Sequence, residues 1–191
     1  VNVIDLAVAT HQLLERAGLP HAFGGALALN LYAEPRMTHD VDVSVFVPWA
    51  EREAVIARFE EIGFRPDASE EAWVPIAGVR LVTEGAREYL DLFFALDPLY
   101  DRVRDRAVSV TIGRNGETLP FFTAEDVAVF KLSFNRPKDW VDLQSMIDTG
   151  TQIDLAYVEE MLVGMRGPTM HPRLARFRRM AEGGTGRRGP G

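Results

Sequence analysis

Apolar and polar positions change period several times along the chain, and each change marks an element. Ile4, Val8, Leu13, Leu14 and Ala17 recur near one helical face over 4–17, and Gly18 and Pro20 close that helix. His21-Ala22-Phe23 reads as a short strand, Gly24-Gly25 as a turn, and Ala26 to Tyr32 as a short helix ended by Pro35. The period then drops to two. Val41, Val43, Val45 and Val47 fall on one strand face, with Asp40, Asp42 and Ser44 on the other. Pro48 to Ile62 predicts a second amphipathic helix (Val55, Ile56, Phe59, Ile62), and Asp67 to Glu71 a polar loop. Trp73 to Ile76 and Val79 to Val82 predict two strands joined by Ala77-Gly78.

Over Glu88 to Leu96, Leu90, Leu92, Phe94 and Leu96 alternate with Tyr89, Asp91, Phe93 and Ala95, predicting another strand. Asp97 before Pro98 is placed to cap a charged helix that includes 101–106. Ala107 to Ile112 and Thr118 to Phe122 flank Asn115-Gly116, a hairpin signal. Thr123-Ala124-Glu125-Asp126 caps the first of four helices, over 124–134, 138–148, 154–165 and 172–182. The pattern predicts an α+β chain in which a mixed sheet flanked by helices over 1–122 precedes a helical bundle over 123–182. Residues 183–191 read as a low-complexity, disordered tail.

Composition adds exclusions. With 191 residues, 47% hydrophobic and 26% charged, the chain can bury a substantial core. It has no cysteine, so disulfides and thiolate metal sites are out of reach. No apolar run approaches the roughly 20 residues of a membrane span, and no signal peptide opens the chain. The expectation is a cytoplasmic protein, monomeric when free. A formal charge of −7 argues against a nonspecific nucleic-acid coat. From Arg166 onward, however, seven arginines face the single acid Glu182, a segment able to track a phosphate backbone or simply to form a solvated helix face.

The acids on the valine strand suggest chemistry. Two carboxylates two residues apart on a strand point the same way, with Cα atoms about 6.5 Å apart. That spacing suits a shared divalent metal. Upstream, Gly24-Gly25 lets backbone approach a phosphate closely. The combination suggests metal-assisted phosphoryl or nucleotidyl transfer, the rival being a turn followed by an edge strand with two solvated aspartates. Asp91, on a strand with aromatic neighbours, is costly to bury unless it is paired or binds metal. The chain has two lysines against nineteen arginines, and both lysines, Lys131 and Lys138, lie in one eight-residue window. Lys131 sits among apolar neighbours, where it either meets a bound triphosphate or snorkels from the core edge. His11, His21, His39 and His171 form no ligand pattern in the sequence.

Gly24-Gly25, a spacer, then Asp40-x-Asp42 between apolar residues resembles the polymerase-β-type nucleotidyltransferases. Lys131 followed by Arg136-Pro137-Lys138-Asp139-Trp140-Val141-Asp142 is similar to the C-terminal motifs of AbiEii-type, MenT-like nucleotidyltransferase toxins. The resemblance spans roughly 20–165. It implies Asp40 and Asp42 as metal ligands with Asp91 as a third, and the Gly24 and Gly25 amides and Thr38 as phosphate contacts. It implies Lys131 on the triphosphate, Asp142 or Asp139 as a distal acid, and Arg36, Arg136 and Lys138 on a basic rim. The glycine pair departs from the Gly-Ser of many members, removing one hydroxyl contact. The implied protein is a toxin with a cognate antitoxin that uses Mg²⁺ (or Mn²⁺) to add nucleotides from an NTP, often a pyrimidine one, to the 3′ end of tRNA. Transfer to a protein side chain or a small molecule such as an aminoglycoside, or a binding module without turnover, are the competing expectations.

Overall fold

The acid-bearing strand lies in the middle of the sheet, which is why its valines are all buried. The computed structural model describes residues 2–69, 78–85, 87–113 and 115–185. Helix α1 (Val3–Arg16) is capped by Asn2, whose side chain accepts from the Asp5 amide at 2.9 Å. Its buried stripe is Leu6, Ala7, Thr10, Leu13 and Leu14, not the Ile4 and Val8 line that periodicity suggested. Strand β1 (His21–Phe23) leads to α2 (Gly25–Leu29), which stops three residues before the expected Tyr32. The reason is local: the Asn30 amide exchanges hydrogen bonds at 3.0 Å with both backbone groups of Arg36, closing the loop that replaces the last turn.

Strand β2 (Asp40–Pro48) runs on through Pro48, where a helix start was expected. A 3-10 turn, Trp49–Glu51, then feeds α3 (Arg52–Glu60). Strands β3 (Arg65–Pro66), β4 (Gly78–Val82) and β5 (Tyr89–Ala95) precede α4 (Leu99–Arg106), whose first amide donates to the Asp97 carboxylate at 2.8 Å. The strand expected over 73–76 lies outside the described residues. Strands β6 (Val108–Ile112) and β7 (Glu117–Phe121) form the expected antiparallel hairpin. Among the described residues seven strands make one mixed sheet in the order β3-β4-β5-β2-β1-β7-β6. Strand β2 runs parallel to β5 and antiparallel to β1. Val41, Val43 and Val45 are fully buried.

The chain divides into two compact units. One comprises Val1–Leu27 and Met37–Phe122, hence the sheet; the other comprises Ala28–Arg36 and Thr123–Gly191. The second unit holds α5 (Ala124–Phe134), α6 (Pro137–Asp148), α7 (Leu155–Arg166) and α8 (His171–Thr185). Residues 183–185 therefore continue a helix that was expected to end at 182. Inside this unit Asp126 is wholly buried but satisfied: it accepts from the Thr123 hydroxyl at 2.7 Å and from the Tyr157 hydroxyl at 2.8 Å. The 28–36 segment is tied to the helices through the Tyr32 carbonyl, which accepts from the hydroxyls of Thr149 and Thr151.

Candidate active site

Register places the acids on one sheet face. Along β2 the side chains of Asp40 and Asp42 share a face, and the parallel pairing sets Asp42 opposite Asp91 of β5. The next strand, β4, brings Arg80 opposite Asp91. One carboxylate oxygen from each of Asp40, Asp42 and Asp91 lies within 4.8 Å of the other two. Arg80 grips Asp91 with both arms of its fork, Nε to Oδ1 and Nη2 to Oδ2, each at 2.8 Å. Its guanidinium also stacks 3.8 Å from the centre of the Tyr89 ring. That bidentate hold raises the Arg80 pKa, and burial followed by the nearby Asp40 charge raises that of Tyr89.

Arg80 was missed in the sequence because its importance depends on register. The available signal was a single cation in the short strand Gly78–Val82. Thr38 sits beside the triad, its hydroxyl donating to Asp40 Oδ1. His39 is exposed.

The glycine turn is built against the same acids. The Gly24 amide donates to the Asp42 carbonyl at 2.9 Å, tethering the turn to β2. Gly25 has φ +54, and a Cβ there would lie 1.7 Å from Asp42 Oδ2. Gly25→Ala therefore faces two penalties. The left-handed backbone alone costs about 1–2 kcal/mol, and the methyl must push the Asp42 carboxylate out of place. The expected result is a destabilised protein with nucleotide transfer lost. Gly18→Ala is the control, since Gly18 has φ +65 and, its chain neighbours aside, no described residue comes within 4 Å of an added Cβ. It should show the backbone cost in urea unfolding and keep its activity.

Three carboxylates against one guanidinium leave two negative charges, which a divalent ion would neutralise. An ionised carboxylate offers about four lone-pair sites, so Asp91 has acceptor capacity beyond its two bonds to Arg80. All-oxygen donors suit Mg²⁺ or Mn²⁺. The residues therefore fit a divalent metal.

The second unit carries a separate ionic cluster. Lys131, 6% exposed, donates to Asp142 Oδ2 at 2.6 Å, and its Nζ lies 3.6 Å from Asp139 Oδ1. Arg36 also grips Asp142, through Nε and Nη2 at 3.1 Å each. Arg136 grips Asp139 in the same way at 2.9 and 3.1 Å, while its own amide donates to Asp139 Oδ2. Asp139 is thus the N-terminal brace of α6, and Asp142 is shared by two cations. Burial opposes ionisation of Asp142, but hydrogen bonds from Arg36 and Lys131 outweigh it and hold the carboxyl below its ordinary pKa. Three cations and two carboxylates leave one positive charge in excess. Lys138, in the first turn of α6, is exposed.

The model of a family described as "Nucleotidyl transferase AbiEii toxin, Type IV TA system" matches residues 12–176. The chain belongs to this family. An AbiEii protein is a nucleotidyltransferase, an enzyme that uses an NTP and a divalent metal, and as the toxin of a toxin–antitoxin system it implies an antitoxin partner. No curated protein matches the chain in sequence. Among solved structures it is similar to an antigenic nucleotidyltransferase-like protein from Paracoccidioides brasiliensis, with TM-score 0.53 and 20% identity over 91% of this chain and 92% of that one. It is similar also to the antibiotic-resistance factor ANT(2'')-Ia in solution, with TM-score 0.56 and 14% identity over 94% and 99% of the two chains. A crystal structure of ANT(2'')-Ia with adenylyl-2''-tobramycin gives TM-score 0.53 and 16% identity over 93% and 98%. At these identities the likeness to this AbiEii chain is one of fold. Among the described residues no helix is long and apolar enough to cross a membrane.

Proposed function

We propose that this AbiEii toxin transfers a nucleotide, of pyrimidine type as the resemblance implies, from an NTP to the 3′ end of tRNA, and so blocks aminoacylation. The observation that carries the reading is the Asp40, Asp42 and Asp91 triad braced by Arg80 and closed by Gly25. In the transfer the acceptor 3′ hydroxyl gives up its proton to water as its oxygen attacks the α-phosphorus, the bond to the bridging β-phosphate oxygen breaks, and pyrophosphate leaves. A divalent ion, Mg²⁺ or Mn²⁺, supplies Lewis-acid stabilisation of the charge on the phosphates. Asp40 and Asp42 would hold it, with Asp91, fixed by Arg80, as the third ligand; Thr38 orients Asp40. Of the two glycine amides expected to contact phosphate, that of Gly24 is committed to the Asp42 carbonyl, which leaves the Gly25 amide for this role. Lys131, steadied by Asp142, binds the triphosphate with its compact charge; Asp142 is the distal acid in preference to the capping Asp139. Arg36, Arg136 and Lys138 add basic rim, and the arginines of α8 add positive charge for RNA.

The reading is tested by incubating the protein with total tRNA and each α-labelled NTP in turn. Label should migrate with tRNA for one NTP or a preferred pair, and periodate oxidation of the tRNA 3′ diol should abolish it. Label that instead appears on protein or in a small-molecule product would replace tRNA with that acceptor.

A further inference from the structure

The sequence shows no histidine pattern, yet folding brings two histidines together away from the acidic triad. His11 lies on α1, Glu15 is one helical turn further on, and His21 opens β1 after the Gly18–Pro20 turn. The Nδ1 of His11 is 2.9 Å from Nε2 of His21. One ligating atom from each of His11, Glu15 and His21 lies within 4.8 Å of the others. We propose that these three side chains form a second metal site, specific for a Zn²⁺-type ion.

Hydrogen bonding prepares His21 for this role. Its Nδ1 is 2.9 Å from the Leu19 carbonyl, which only accepts, so the proton resides on Nδ1 and Nε2 keeps its lone pair. A ligating histidine whose other ring nitrogen donates to a backbone carbonyl is the usual second layer of a metal site. His21 is buried at 5% exposure, so its ring is held in place by packing. His11 now fills the His21 lone pair with an N–H. Metal binding moves that proton from Nδ1 to Nε2 of His11, which frees a second lone pair without a net change of charge. The exposed Glu15 swings in as the third ligand, leaving a fourth position to water.

Two imidazoles and a carboxylate suit Zn²⁺, with Zn–N distances of about 2.0–2.1 Å. Mg²⁺ prefers the all-oxygen triad. The site would tie the end of α1 to the start of β1, three residues before Gly24, and β1 is paired to the acid-bearing β2 through His21 and Val45. It is independent of the acceptor proposed above.

The test is a Zn²⁺ titration against a chromophoric chelator on full-length Asp40→Asn/Asp42→Asn protein, which removes the acidic triad as a competitor. One Zn²⁺ per chain should bind and raise the melting temperature, and Co²⁺ should give the intense visible bands of a tetrahedral site. His11→Ala and Glu15→Gln change a half-buried and an exposed side chain, so the protein should still fold. Each should weaken Zn²⁺ by at least about tenfold, since losing a ligand costs no less than losing its outer-layer partner. Failure of that protein to bind one Zn²⁺, or unchanged affinity in both single variants, would overturn the site. A failure to label tRNA would leave this result untouched.

Discussion

Asp42→Asn should abolish nucleotide transfer while leaving the fold intact. The change removes a charge and keeps the shape, so the volume enclosed by Gly25, β2 and β5 is unaltered. What is lost is one of the three carboxylates proposed to hold the metal. Metal stabilisation of phosphoryl charge is worth several kcal/mol, so a drop in kcat of about a thousandfold or more is expected. The melting temperature should stay close to that of the unaltered protein, because like carboxylates on one face repel and removing one relieves that repulsion. Asp91→Asn makes the informative contrast. There the substitution also strips Arg80 of a bidentate charged partner, and Arg80 has only 23% of its side chain exposed. Stability and activity should therefore fall together. If Asp42→Asn protein kept full transfer from labelled NTP, the metal assignment would be refuted.

The contrast also explains what the sequence reveals. Strand β2 was legible because alternation with period two fixes which side chains share a face, and Asp40 and Asp42 follow at once. The helices of the second unit were legible because their caps are local. Thr123 accepts from the Asp126 amide, and Asp154 from the amides of Ala156 and Tyr157. Arg80 was not legible, because the partner of a strand residue is set by register between segments eleven residues apart. The two-residue β3 carries too few positions for any period. The pairing of His11 with His21 required knowing that a single tight turn folds α1 back on β1. Lys131 illustrates a different gap. Its burial was readable from apolar neighbours, but the two carboxylates that neutralise it come from the next helix, and one of them, Asp142, is shared with Arg36, far upstream in the chain.

That cluster yields the largest expected effect on stability. Asp142→Ala removes the carboxylate that Lys131 meets at 2.6 Å and that Arg36 grips at 3.1 Å. Lys131 is then a buried ammonium whose one remaining acidic partner among the described residues is Asp139, and Asp139 already serves Arg136. Breaking a buried pair from one side costs about 3–5 kcal/mol, and the discount for the half-exposed Arg36 places this case toward the lower end. Lys131→Met combined with Asp142→Leu should recover most of the loss, since no buried charge is left without a partner and Arg36, which loses Asp142, has 39% of its side chain exposed to water. If the cluster serves the triphosphate, that double variant should fold well and still fail to use NTP. The pH dependence follows from the sign of the Asp142 shift. Its carboxyl titrates below the ordinary range in the folded protein, so the unfolded chain binds the proton more readily. Its contribution is therefore complete above the unfolded pKa of about 3.9. It declines as pH falls through the lower folded value. Urea unfolding of the unaltered protein and of Asp142→Asn should differ most near neutrality and converge in acid. A gap that persisted unchanged at the lowest pH would mean that packing, not charge, holds this part of the second unit together.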